Sequence, residues 1–208
     1  MPNADHPEYA ALLRAICADP DDDTPRLVAA DWLEEHGDAD RAAFIRIQVE
    51  LARLEVAGLG KSLEAYEWRK KERAYLGPYS VYPSIWAAEA CPQLVRVIPG
   101  ERGKPLESMR VEGADRVTFR RGFVEGVICP AAEWLRHGEA VRKRQPVRVL
   151  TLVGCDALGW GQWLAALPTL HWLRVLRLAD FDTRLMEWLP ERLHGSRVEW
   201  LPAGTIPF

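Results

Sequence analysis

Four short segments of this chain share the spacing apolar-x-x-apolar-x-apolar, and that repetition limits the fold more than any other feature. The full copies are Val147, Leu150, Leu152 and Leu173, Leu176, Leu178. A weaker copy is Val124, Val127, Cys129, and a truncated one is Val198, Leu201. Their starting positions lie 23, 26 and 25 residues apart. A period of roughly 20–29 residues belongs to units of one strand plus a helix or turn, which bury their apolar faces by stacking. Residues 131–145, 161–167 and 183–193 read as the intervening helices. Side chains alternate along a strand, so the patterned residues point inward and the positions between them face outward. Those outward positions are Gly126, Ile128, Val149, Thr151, Val153, Val175, Arg177, Ala179 and then Trp200. The face they form is small or apolar with one arginine. It needs either a partner or cover from another part of the chain.

The N-terminal third has a different period. Asp5, Pro7 and Glu8 read as a capping box with a first-turn proline, followed by Leu12, Ala15 and Ile16 at helical spacing. Residues 19–23 break that helix, and Thr24-Pro25 starts a second one that stops at Gly37. A third begins near Asp40 and carries Phe44, Ile47, Leu51 and Leu54 on one stripe. A fourth runs from Ser62 through Leu63 and Tyr66 into Arg69, Lys70 and Lys71. Four helices with short loops imply a small bundle. The prolines and glycines of 77–118 (Pro78, Pro83, Pro92, Pro99, Gly100, Gly103, Pro105) indicate an irregular connection with short strands near 94–98 and 116–119.

The segment 22–38, DDTPRLVAADWLEEHGD, followed by RAAFIRIQ at 41–48, resembles the repeat-companion domain, a bacterial helical module found ahead of repeat arrays. The ladder at 119–178 is similar to leucine-rich repeats. Cys155 stands three residues after Leu152, where such repeats hold Asn or Cys, although Ala132 and Phe181 occupy the equivalent places. The resemblance implies architecture and brings no catalytic residues. Together these readings predict an α+β or α/β solenoid-like chain: a helical module over 1–76, a connection over 77–118 and a repeat-like region over 119–208.

The net charge of −3 hides a balance of −8 over residues 1–55 and +5 over residues 96–148. Such asymmetry marks either a basic face for nucleic acid or two parts of one protein that attract each other. No apolar run reaches the ~18 residues of a membrane span, and the first residues carry no export signal. A cytoplasmic location without membrane partners is therefore expected. Cys17, Cys91, Cys129 and Cys155 stand singly, as reduced thiols rather than as a zinc or disulfide framework. The Asp run at 19–23 lacks EF-hand spacing, and WLEEHGD holds one His where a zincin helix needs two. No phosphate loop or nucleophile motif is present, so neither metal, cofactor nor catalysis is expected.

The favoured expectation is a non-enzymatic adaptor that binds a partner protein through Trp160, Trp163, Thr151, Val175, Arg177 and Trp200. Of the nine tryptophans, Trp160, flanked by glycines, is the one expected to be exposed. The alternative is an accessory subunit of a nucleic-acid complex, touching phosphates through Arg120, Arg121, Arg142, Lys143, Arg144 and Arg148.

Overall fold

In the computed structural model, which describes residues 6–77, 80–98 and 110–202, the two periods become two packed layers. Helices α1 (Pro7–Ala18), α2 (Thr24–Glu35), α3 (Ala39–Val56) and α4 (Leu63–Leu76) pack in chain order, each on the next. Asp38 caps α3 by accepting from the Arg41 N–H at 3.2 Å, and Ser62 caps α4 by accepting from the Ala65 N–H at 3.1 Å. His6 precedes α1 as its N-cap, while Asp5 lies outside the described residues, as do Pro78, Pro99, Gly100, Gly103 and Pro105.

The connection is less irregular than its prolines suggest. It contains helix α5 (Tyr82–Ala90), with Pro83 in the first turn, where a missing N–H costs nothing. Strands β1 (Arg96–Ile98) and β2 (Arg110–Glu112) then form a two-stranded antiparallel sheet. A five-stranded sheet follows in the order β3 (Val117–Arg120), β4 (Phe123–Pro130), β5 (Val149–Val153), β6 (Val175–Leu178), β7 (Arg197–Trp200). The β3–β4 pair is antiparallel and the other three pairings are parallel. Helices α6 (Ala131–Arg142), α7 (Trp160–Leu170) and α8 (Leu185–Trp188) make the crossovers. The chain is thus a mixed α/β protein with a mostly parallel sheet.

The strands pair in the phase set by the apolar pattern. Val127, Leu150, Leu176 and Val198 align across the sheet, as do Cys129, Leu152, Leu178 and Trp200. The N–H groups of Arg148, Arg174 and Arg197 each donate to the preceding strand, to the carbonyls of Glu125, Arg148 and Arg174, all at 2.8 Å. The last segment departs from the expected phase. Val198 stands opposite Leu176 rather than Leu173, so the equivalent of Leu173 is Gly195, 22 residues on. Its Val198–Leu201 spacing imitates the first two patterned positions, whereas the strand uses Val198 and Trp200 as the last two. The inner layer is fully packed: Leu150, Leu152, Leu176, Leu178, Trp134 and Trp163 are at most 1% exposed.

The two layers meet at the β3–β4 turn. Arg121 and Gly122 both have positive φ (50° and 82°) and connect the paired residues Arg120 and Phe123, a two-residue hairpin turn suited to the strand twist. A turn of this kind ordinarily faces water. Here it plugs into the helices, and Phe123 is fully buried in the core of α1–α3. The family-like motif of α3 supplies the socket, because Arg41, Phe44, Ile45 and Gln48 share one helix face. Phe44 meets Phe119 edge-on, with ring centroids 5.8 Å apart, and the Arg41 guanidinium lies 5.2 Å from the Phe119 ring centre. Gln48 Oε1 accepts from the Gly122 N–H at 2.7 Å, and its Nε2 donates to Glu72 at 2.9 Å. A Cβ on Gly122 would fall inside the Ile45 side chain, so the close approach itself requires glycine. Arg46 of the same motif donates to both Asp31 and Glu34 of α2 at 2.7 Å.

Candidate functional site

The charge asymmetry resolves first at the seam between the layers. Arg26 of α2, fully buried, donates to Glu125 of β4 at 2.9 Å. Burial lowers the affinity of Arg26 for its proton and raises the Glu125 pKa, while the two charges oppose both shifts. Above this pair the acidic loop docks on a group of arginines. Asp21 accepts from Arg148 at 2.7 Å and also from Arg174, and its carboxylate lies 3.8 Å from Arg121. Arg121 donates in addition to the Pro20 carbonyl at 3.1 Å. Partial burial opposes ionisation of Asp21, but the hydrogen bond from Arg174 and the charges of Arg148, Arg174 and Arg121 hold its carboxyl below the ordinary value. The Asp-rich turn, which the sequence shows as a helix break, is a clamp between module and sheet.

The six predicted phosphate contacts therefore separate. Arg121 and Arg148 belong to the Asp21 clamp, and Arg120 lies 3.3 Å from Glu55. Arg142, Lys143 and Arg144 converge elsewhere, on an open groove of about 820 Å³ shared with Arg14, Cys17 and Trp172. There Arg142 donates to the Pro168 carbonyl at 3.1 Å and lies 5.6 Å from the Trp172 ring centre. Lys143 pairs with Glu139 at 2.7 Å. Burial pushes the Cys17 thiol at the groove up to about 11, which keeps it protonated. No short-range signal joins Arg14 to Trp172, since 158 positions separate 14 from 172. Arg174 was legible in principle, as it precedes its strand in the same phase as Arg148.

The six predicted interface residues also divide. Trp163 and Thr151 are buried, at 1% and 2% exposure, and cannot meet a partner. Trp200 turns inward beside Leu178 and packs on Phe181, with ring centroids 4.7 Å apart. The outward positions of β7 are Arg197 and Glu199, and Glu199 accepts from Arg177 at 2.6 Å. Val175 is half-buried on that face. The outward sheet face therefore carries an ion pair and a buried Thr151, where small or apolar residues with one arginine, open to a partner or covered by the chain, were expected.

Trp160 is exposed, as predicted, at 37%. Trp172, at 61%, is more exposed still. The Trp160 ring meets Trp188 of α8 edge-on, with centroids 5.2 Å apart. Arg184 lies over Trp160 at 5.6 Å and Arg192 over Trp188 at 4.6 Å. Hydrogen bonds from Arg184 draw the Asp182 carboxyl down to about 2 and hold that guanidinium in place. Leu164, one helical turn after Trp160, is 55% exposed. Among the described residues no helix is long and apolar enough to cross a membrane. Comparison of the chain with protein-family models, curated proteins and solved structures finds no match to any of them.

Proposed function

We propose that the chain is a non-enzymatic cytoplasmic adaptor, a repeat-companion-type helical module joined to a short leucine-rich-repeat-like solenoid. It binds a partner protein through the outer face of α7 and α8. The observation that carries this reading is the exposed Trp160, edge-on to a half-buried Trp188 and rimmed by Arg184 and Arg192, with the exposed Leu164 beside it. Tryptophan and arginine dominate interface hot spots, because they bring large contact area and directed polar groups at low entropic cost. The partner surface that fits is an apolar anchor that packs on the Trp160 ring and Leu164.

A second reading keeps the nucleic-acid alternative at one place. The groove of Arg14, Arg142, Lys143 and Arg144 with the exposed Trp172 offers cations for phosphates and a ring for a base, the two ingredients of single-strand binding. Arg120, Arg121 and Arg148 do not support that reading, because none of them lines the groove.

Affinity capture from the native host at low salt separates the two. A defined protein lost with Trp160→Ala, but kept with Arg14→Glu plus Lys143→Glu, is the expected result. Material absorbing at 260 nm, released by salt and lost with the charge reversals, would favour the groove. A capture profile unchanged by either set would overturn both.

A further inference from the structure

Histidine motifs along one helix gave no metal site, but the fold assembles one from separate elements. His6 precedes α1, Glu8 lies in its first turn, and His36 is the C-cap of α2. The ligand atoms of these three exposed residues lie within 4.8 Å of one another. His6 Nδ1 stands 4.0 Å from Glu8 Oε2. A tetrahedral ion with nitrogen and oxygen ligands at about 2.1 Å would hold its ligand atoms roughly 3.4 Å apart. Small side-chain rotations at an exposed edge close that difference.

Trp32 orients two of the three ligands. Its indole Nε1–H donates to Glu8 Oε2 at 3.0 Å. Its backbone carbonyl lies 2.7 Å from His36 Nδ1, so that nitrogen carries the proton and Nε2 is left as the ligand atom. The His36 ring stacks on Trp32 with centroids 3.7 Å apart, and the His6 ring lies 5.0 Å from the same indole. A hydrogen bond that fixes the tautomer of a histidine, and another that fixes a carboxylate, are the outer-shell features of metal sites. The C-terminal end of α2 favours a cation and the N-terminal end of α1 opposes it, so the helix ends largely offset each other and the ligands carry the site.

We propose that His6, Glu8 and His36 bind one divalent transition-metal ion of the zinc class, with the remaining coordination positions open to water. Imidazole ligands select zinc, copper or nickel over calcium and magnesium, which prefer oxygen. The ion would clasp the start of α1 to the end of α2. The site is independent of the adaptor reading and of the groove.

The test uses the untagged, metal-free full chain, titrated with Zn2+ by calorimetry and with Co2+ by absorption spectroscopy. One equivalent is expected, with a cobalt spectrum of nitrogen and oxygen ligation and no thiolate charge-transfer band. Binding should weaken at least tenfold in His6→Ala and in Glu8→Gln, two exposed changes that spare the core, with circular dichroism checking the fold. Zn2+ should raise the thermal midpoint of the wild type and leave that of the variants unmoved. Absence of binding at millimolar Zn2+ would overturn the proposal. So would equal affinity in the wild type and both variants, or a thiolate band pointing to Cys17.

Discussion

The seam between helices and sheet and the outer face of α7–α8 use arginine in opposite ways. At the seam, Arg26, Arg121 and Arg148 face the carboxylates of Glu125, Asp23 and Asp21, and the side chains of Arg26 and Arg121 are at most 10% exposed. On the outer face, Arg184 lies over the exposed Trp160 and Arg192 over the half-buried Trp188, with side chains 70% and 41% exposed and their carboxylate partners, Asp182 and Glu191, close by in sequence. The first arrangement joins residues distant in sequence and holds two layers together, whereas the ion pairs of the second are local. The second leaves aromatic area in water. A basic stretch in a sequence is therefore poor evidence of an anionic ligand when an acidic stretch of the same chain can reach it.

The contrast is broken most strongly at Glu125. Glu125→Ala strands a buried guanidinium, and breaking a buried pair from one side costs about 3–5 kcal/mol. Urea denaturation should show that loss as a lower midpoint with an unchanged slope. Gly122→Ala comes next, at about 1–3 kcal/mol, because it forces both a positive φ and a clash with Ile45.

Asp21→Asn should cost less, about 1 kcal/mol or under, since half of that side chain is in water. Its signature is the pH dependence. The folded carboxyl has a depressed pKa, so its stabilisation is present above the unfolded value of about 3.9 and is lost as pH falls through the folded one. The stability gap between wild type and Asp21→Asn should therefore close in acid, and shrink with salt at neutral pH. A comparable effect on folding, about 1 kcal/mol from the lost ring pair, is expected for Trp160→Ala. If that substitution instead unfolded the chain, the indole would be core filler and the adaptor surface would lie elsewhere.

Much of the architecture is legible in the residues. The apolar spacing around Leu150, Leu152, Leu176 and Leu178 fixed strand phase, because a one-residue slip would expose every patterned side chain. The helices of the first third followed from periodicity and, for α4, from its Ser62 cap, whereas α1 has His6 at its N-cap where a capping box on Asp5 was expected. Helix α5 was hidden because Pro83 reads as a breaker unless its place in the first turn is known. Trp200 was misplaced because a truncated copy of a pattern does not determine its own phase. Attraction between the acidic and basic parts was one of the two readings of the charge, but the pairs that form the clamp were invisible for a different reason. Asp21 lies 127 residues from Arg148 and 153 from Arg174, and only the folded chain brings them together. The candidate surface was partly read: exposure of Trp160 followed from its glycine neighbours, but its pairing with Trp188 depends on how α7 and α8 pack.

The central claim is that the charged seam makes helices and sheet one cooperative unit. Hydrogen exchange measured by mass spectrometry, on the wild type and on Glu125→Ala, tests it most directly. Segments 39–56 and 117–130, on the two sides of the seam, should share one opening free energy in the wild type and lose the same amount in the variant. Wild-type protection in the sheet segments beside a loosened helical segment would contradict the claim, and would leave two units that merely touch.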